Sequence, residues 1–174
     1  FFFFLNGSGK STILEAIALA LGFSEEGGTL NVVLNSASSA SELHQSLRVI
    51  KGVCKPKDYY FLRAESFYNV ATYMNELGYL VGYGGDIHKR SHGEGFMKVF
   101  LSKLKGHGLY LMDEPEAALS PSMQMTALSA IHQLCQQNSQ LIIATHSPIL
   151  LSYPHAKIYQ FTDTGLCEIA YEDT

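Results

Sequence analysis

Seven consecutive residues near the start, Asn6-Gly7-Ser8-Gly9-Lys10-Ser11-Thr12, have the make-up of a phosphate cradle. Glycines let the backbone approach a ligand, a helix N-terminus presents free N–H groups where the dipole favours an anion, and a lysine adds a cation. In the pattern G-x-x-x-x-G-K-[ST] the last three positions fall on Gly9, Lys10 and Ser11, while the first glycine position falls on Phe4. On this spacing Lys10 reaches the β- and γ-phosphates of a nucleotide and the Ser11 hydroxyl reaches Mg²⁺, an ion that keeps water and takes one or two carboxylates. The competing reading, an ordinary polar turn with a Ser/Thr helix cap, leaves the lysine unexplained.

Two further sets of polar residues end apolar runs. Asp113-Glu114-Pro115 follows Leu109-Tyr110-Leu111-Met112, and Thr145-His146-Ser147-Pro148 follows Leu141-Ile142-Ile143-Ala144. Asp113 suits a metal-holding carboxylate, directly or through water, and Glu114 beside it suits a general base that polarises an attacking water. By itself Asp113-Glu114 could be a solvated strand end, and His146 a capping or core histidine. Sharing a chain with the lysine loop favours chemistry, with His146 able to reach the γ-phosphate or the water. Ser91-His92-Gly93-Glu94 carries two compatible readings: a capping box between Ser91 and Glu94, and a second anion site serving another molecule's nucleotide.

These side chains need a scaffold that brings them together. The pattern predicts a short buried strand over 1–5, a helix from Ser11 to Leu21 closed by Gly22, and one edge strand near Leu30–Leu34. It further predicts a helix over 41–49, a central strand over Tyr59–Arg63 and a helix over 67–77 ending at Gly78. The segment 78–89, with four glycines, is assigned no regular structure. Later come a helix over 95–103, a strand at 109–112, a helix opened by Ser120-Pro121, a strand at 141–144, and a hairpin pairing 157–161 with 166–171. Strands alternating with helices imply an α/β fold with a mostly parallel sheet, whose ligand crevice lies at the carboxyl ends of the strands. Asn6-Gly7, Asp113-Glu114 and Thr145-His146 should therefore share one rim.

At 174 residues the chain is read as one domain, 1–174, able to bury about two-thirds of its unfolded surface. Its apolar fraction of 47% and charged fraction of 16% exclude a disordered chain. A net charge of -4 gives no overall electrostatic footprint for nucleic acid and leaves a local basic patch open. Cys54, Cys135 and Cys167 lack C-x-x-C spacing and read as reduced, mostly buried thiols. No apolar run approaches the roughly 18 residues that span a bilayer, and the start has neither the basic region nor the cleavage site of a signal peptide. The expectation is a cytoplasmic protein without membrane insertion.

Together these residues resemble the ABC-type ATPases, most closely the small soluble, single-domain, AAA/SMC-like ones related to SMC and overcoming-lysogenisation-defect ATPases. Asn6 to Thr12 looks like their Walker A, Leu109 to Glu114 their Walker B with catalytic glutamate, and His146 their switch histidine. Ser91-His92-Gly93-Glu94 is similar to the signature segment that binds the γ-phosphate of ATP held by the partner subunit. The resemblance implies a P-loop NTPase fold, ATP and Mg²⁺ as ligands, and a head-to-tail nucleotide-sandwich dimer with two composite sites. It also implies a protein partner such as a nuclease, repair or transport component. The sequence departs from the family at Phe4, at Ser120 where an aspartate is common, and at Glu65 in the Q-loop position. Five residues precede Asn6, where the family usually has two strands and an adenine-stacking aromatic. The four phenylalanines at 1–4 fit either an altered loop or a chain beginning that is incomplete or wrongly assigned.

The leading functional expectation is an ATPase that dimerises on ATP and releases on hydrolysis. A small P-loop kinase would need an arginine-rich lid, whereas the arginines are Arg48, Arg63 and Arg90, and it would leave Glu114, His146 and Ser91 unexplained. The alternative from another class is a nucleotide-sensing module that regulates a partner with little or no turnover. No heptad repeat or basic run identifies a cargo.

Overall fold

Parallel strand pairing requires a crossover between strands, and the apolar-faced helices of this chain supply it. The structure is a computed structural model that describes residues 2–5, 9–30, 42–67, 69–70, 72 and 92–174. Its elements run β1 (Phe2–Leu5), α1 (Lys10–Leu21), α2 (Leu43–Ser46), β2 (Asp58–Arg63), α3 (His92–Lys103) and β3 (Gly108–Asp113). They continue with α4 (Pro121–Gln136), β4 (Gln140–Ala144), α5 (Pro148–Leu151), β5 (Lys157–Thr162) and β6 (Gly165–Ile169). A 3-10 turn over Pro115–Ala118 links β3 to α4.

The six strands form one sheet in the order β2-β3-β4-β1-β5-β6. All neighbours are parallel except β5 and β6, the expected hairpin. The register places Arg63 opposite Asp113, Asp113 opposite Ala144, and Ala144 opposite Phe4. Residues at the ends of β2, β3 and β4, and the penultimate residue of β1, thus form one row across the sheet, and these strands end at the same rim.

Side chains alternate across the pleat and build a core on each face. Tyr60, Leu62, Tyr110, Met112, Leu141 and Ile143 pack with Phe96, Val99 and Phe100 of α3 and Ala127, Ile131 and Leu134 of α4. Phe61, Leu111 and Ala144 face the other way, onto Leu14 and Ala18 of α1 and Phe23. The spacing that predicted these helices is the spacing that buries them. Gly22 ends α1 in the left-handed conformation, and Ser120 caps α4 by accepting from the Met123 N–H at 3.4 Å.

Several expectations need correction. β2 lies at the end of the strand order rather than in its centre. It is nevertheless buried, because Gly28 makes an antiparallel bridge with Phe61 along its other edge. The helix expected over 41–49 shrinks to the four residues of α2, and Ile50 is 84% exposed. Leu43 and Leu47 also stay exposed, so this segment lacks the packed face that sustains most short helices. The three cysteines are free as expected, yet Cys54 and Cys167 are exposed and Cys135 is half-buried. Residues 67, 69–70 and 72 are helical, in line with the start of the helix read over 67–77. Segment 31–41, including the edge strand proposed there, and segment 73–91 lie outside the described residues. No helix among the described residues is long and apolar enough to cross a membrane.

Candidate functional site

The site grows from the row at the strand ends. After β1 the chain enters α1 through Gly9, at φ 127°, a backbone angle that glycine adopts without strain. Lys10 and Ser11 then occupy the first turn of α1, which packs over β3 and β4. Lys10 is 4% exposed, and its Nζ is hydrogen-bonded to His146 Nε2 and stands 4.0 Å from Glu114 Oε1. His146 Nε2 lies 3.6 Å from the same carboxylate oxygen. Burial pulls the Lys10 ammonium below the ordinary lysine value, and the charges of Glu114, Glu116 and Asp113 oppose that pull.

Ser11 Oγ donates to Asp113 Oδ1 at 2.9 Å. Asp113 is 7% exposed, and burial raises its carboxyl above the usual carboxylate range, against the opposing effects of the Ser11 bond and of Arg63. The next residue leaves the strand abruptly. Glu114 has φ 46°, while its N–H still bonds the Ala144 carbonyl at 2.9 Å. A left-handed non-glycine residue costs about 1–3 kcal/mol and persists where its surroundings over-determine it. The result is a carboxylate aimed at the rim beside Lys10 and His146 instead of continuing the pleat. A cleft of about 510 Å³ opens alongside, lined by Ser11, Glu65, Phe67, Asp113, Glu114 and Ala118.

The segment after β4 is held by its neighbours. The His146 N–H donates to Glu116 Oε1 at 2.6 Å, Ser147 Oγ donates to Gln124 Oε1 at 2.5 Å, and Gln124 Nε2 donates to the Leu119 carbonyl at 3.0 Å. The turn following Glu114 therefore grips the histidine loop at both ends of the turn.

The structure brings Lys10, Ser11, Asp113, Glu114 and His146 together at one rim. Asn6, Gly7, Ser8 and Ser91 lie outside the described residues. Thr12 points away, exposed on α1. Gly93 and Glu94 sit in the first turn of α3, and Glu94 is exposed there. Gly93 has a packing reason that the sequence did not reveal: a Cβ there would lie 2.8 Å from both the Ala118 carbonyl oxygen and Met123 Sδ. Sequence reading also missed Arg63, Glu116 and Gln124 as neighbours of the site, and Glu15 as the partner of Arg63. A charged residue closing an apolar run was an available signal for Arg63, as it was for Asp113. The other three depend on contacts between elements.

The donor set fits a metal–polyphosphate. Asp113, Glu114, Glu116, Glu15 and Glu65 surround two cations, Lys10 and Arg63, so a bare polyanion meets excess negative charge. The adjacent hydroxyl and carboxylate of Ser11 and Asp113 are hard oxygen donors suited to Mg²⁺. Among the described residues no group of three or more His, Cys, Asp or Glu side chains could hold a metal.

The fold defined by this sheet is a mostly parallel α/β fold with flanking helices, and it is shared with known proteins. Compared with solved structures, the chain is similar to the SMC head domain from Thermotoga maritima, with a TM-score of 0.54 and 15% identity over 97% of this chain and 90% of that one. It also matches an inward-facing conformation of a metal-chelate-type ABC transporter, at a TM-score of 0.49 and 19% identity over 99% of this chain and 72% of that one. More particularly, residues 93–152 match the family model described as "AAA domain, putative AbiEii toxin, Type IV TA system". That segment runs from the first turn of α3 through β3, α4 and β4 to the end of α5. No curated protein matches the sequence.

Proposed function

We propose that this protein binds Mg-ATP at the rim and hydrolyses it to ADP and phosphate at the interface of a head-to-tail dimer, coupling ATP-driven association to the work of a partner protein. The reading rests on one observation, the grouping of Lys10, Glu114 and His146 around a single point beside the Ser11–Asp113 pair. Lys10 donates to phosphate oxygens, giving up its contacts with His146 and Glu114 in exchange. Glu114 accepts a proton from the water that attacks the γ-phosphorus, as the bond to the bridging oxygen breaks and ADP leaves. His146, turned to the rim by Glu116, hydrogen-bonds the γ-phosphate or the water. Mg²⁺, held by Ser11 and Asp113, supplies charge neutralisation to the phosphates when bound. Asn6, Gly7, Ser8, Gly9 and Thr12 complete the phosphate loop. Ser91, Gly93 and Glu94 contact the nucleotide of the opposite subunit.

Glu114→Gln tests this directly. Turnover should fall by roughly 10²- to 10⁴-fold, the usual span of a general base, while ATP now holds a dimer visible by light scattering. Unchanged turnover would remove Glu114 from the chemistry. Nucleotide-dependent dimerisation by a native protein with no turnover would leave the sensing module as the function.

A further inference from the structure

β2 ends on Arg63, whose side chain is engaged from several sides. Nη1 donates to Glu15 Oε2 at 3.1 Å and to the Glu25 carbonyl at 2.8 Å, and Nη2 lies 3.9 Å from Glu65 Oε2. The guanidinium also stands 5.8 Å from the centre of the Phe61 ring. Its Nε faces Asp113 Oδ2 at 3.5 Å, while the other oxygen of that carboxylate accepts from Ser11. Ser11 and Glu15 are one turn apart on α1, so Ser11, Asp113, Arg63 and Glu15 close a ring whose last side is the helix itself.

One link in that ring is open. Arg63 Nε is buried and has no hydrogen-bond partner among the described residues, although Asp113 Oδ2 is its neighbour across the gap. A buried charged donor left unpaired is costly, so the ring is biased toward any carboxylate orientation that closes it. The Glu15 and Glu25 bonds leave the planar guanidinium little freedom, which fixes where Nε points.

We propose that Arg63 is a positioning residue for the metal site: its Nε holds Asp113 Oδ2, so that Oδ1 and Ser11 Oγ are presented together to Mg²⁺. This rests on the assignment of Ser11 and Asp113 as the metal-holding pair. It makes a prediction of definite sign. If Arg63 acted only through its charge, Arg63→Lys would leave Mg²⁺ binding where it is, because lysine keeps the cation that repels the ion and favours ionised Asp113. A positioning role requires Arg63→Lys to weaken it.

The experiment titrates MgCl₂ into the full chain with a fluorescent, slowly hydrolysed ATP analogue, comparing native protein with Arg63→Ala, Arg63→Lys and Glu15→Gln. Lysine keeps a cation for Glu15 but has no Nε, so it decides the matter if the alanine variant fails to fold. Both Arg63 variants should raise the half-saturating Mg²⁺ concentration by roughly 10- to 100-fold, the effect of losing an orienting group around a metal ligand. Analogue affinity in EDTA should stay within about threefold of native, and Glu15→Gln, whose amide oxygen can still accept from Nη1 and so keep the guanidinium oriented, should move the Mg²⁺ midpoint less than about threefold even where it lowers Tm. An unchanged or lowered midpoint in folded Arg63→Lys overturns the proposal. So does a Glu15→Gln shift as large as that of Arg63→Lys, which would make Arg63 a tie for α1. Analogue binding that ignores Mg²⁺ in the native protein would refute the nucleotide-site reading and this proposal with it, a failure recognisable before any variant is made.

Discussion

Replacing Gly93 with alanine probes how tightly the start of α3 is coupled to the site. The new methyl carbon would lie 2.8 Å from the Ala118 carbonyl oxygen and 2.8 Å from Met123 Sδ, each short of a comfortable contact near 3.5 Å by about 0.7 Å. The two contacts differ in consequence. Met123 is flexible and can turn aside, whereas the Ala118 oxygen belongs to the 3-10 turn that also carries Glu116. Alanine is intrinsically favoured over glycine in a helix by roughly 0.5–1 kcal/mol, and overpacking costs roughly 1–3 kcal/mol. The net expectation is a loss of about 1–2 kcal/mol, measured by urea denaturation. Turnover should fall further than stability accounts for. Pushing the turn moves Glu116, whose carboxylate sets the backbone of His146 at 2.6 Å, and displacements near 1 Å at such sites cost on the order of 100-fold. Adding Met123→Ala should recover part of the stability and little of the activity, because the backbone contact remains. A Gly93→Ala protein as stable and as active as native would refute the coupling of α3 to the histidine loop.

Two further outcomes concern the far end of the sheet and the histidine loop. Tyr110 is fully buried, donates to Asp58 Oδ2 at 2.9 Å and accepts from the N–H groups of Lys105 and Gly106, and burial first, then Asp58, pushes its hydroxyl up to about 12. With the folded value above the ordinary 10.0, its contribution is complete below pH 10 and is lost as pH rises toward about 12. Tyr110→Phe should therefore destabilise the protein by about 1–3 kcal/mol at neutral pH and flatten the alkaline decline in stability, seen by denaturant titration across that range. Ser147→Ala removes the cap of α5, which accepts from the Leu150 N–H at 3.2 Å, and strips Gln124 Oε1 of its donor. A loss of about 2 kcal/mol is expected, and a value below about 0.5 kcal/mol would mean that the Gln124 link bears no weight.

The candidate site was legible in one dimension because its residues sit where apolar runs stop. Asp113 and Glu114 follow four buried residues, His146 follows Ala144 at one residue's distance, and Lys10 opens an amphipathic helix, so residue type and period alone located them. The parallel sheet followed from helices alternating with strands, and the rim followed from the sheet. Sequence could not decide which strands are neighbours. β2 read as central because it is apolar and aromatic, yet it closes one end of the strand order and owes its burial to Gly28 and the packed faces. Nor could it reveal that Gly93 is required by the Ala118 carbonyl, that Glu116 and Gln124 grip the histidine loop, or that Arg63 meets Asp113 across the sheet. Each of these is a contact between residues distant in the chain. Local propensity carries no record of such contacts. They exist because parallel register and the packing of α1, α3 and α4 against two faces of one sheet bring those atoms within reach.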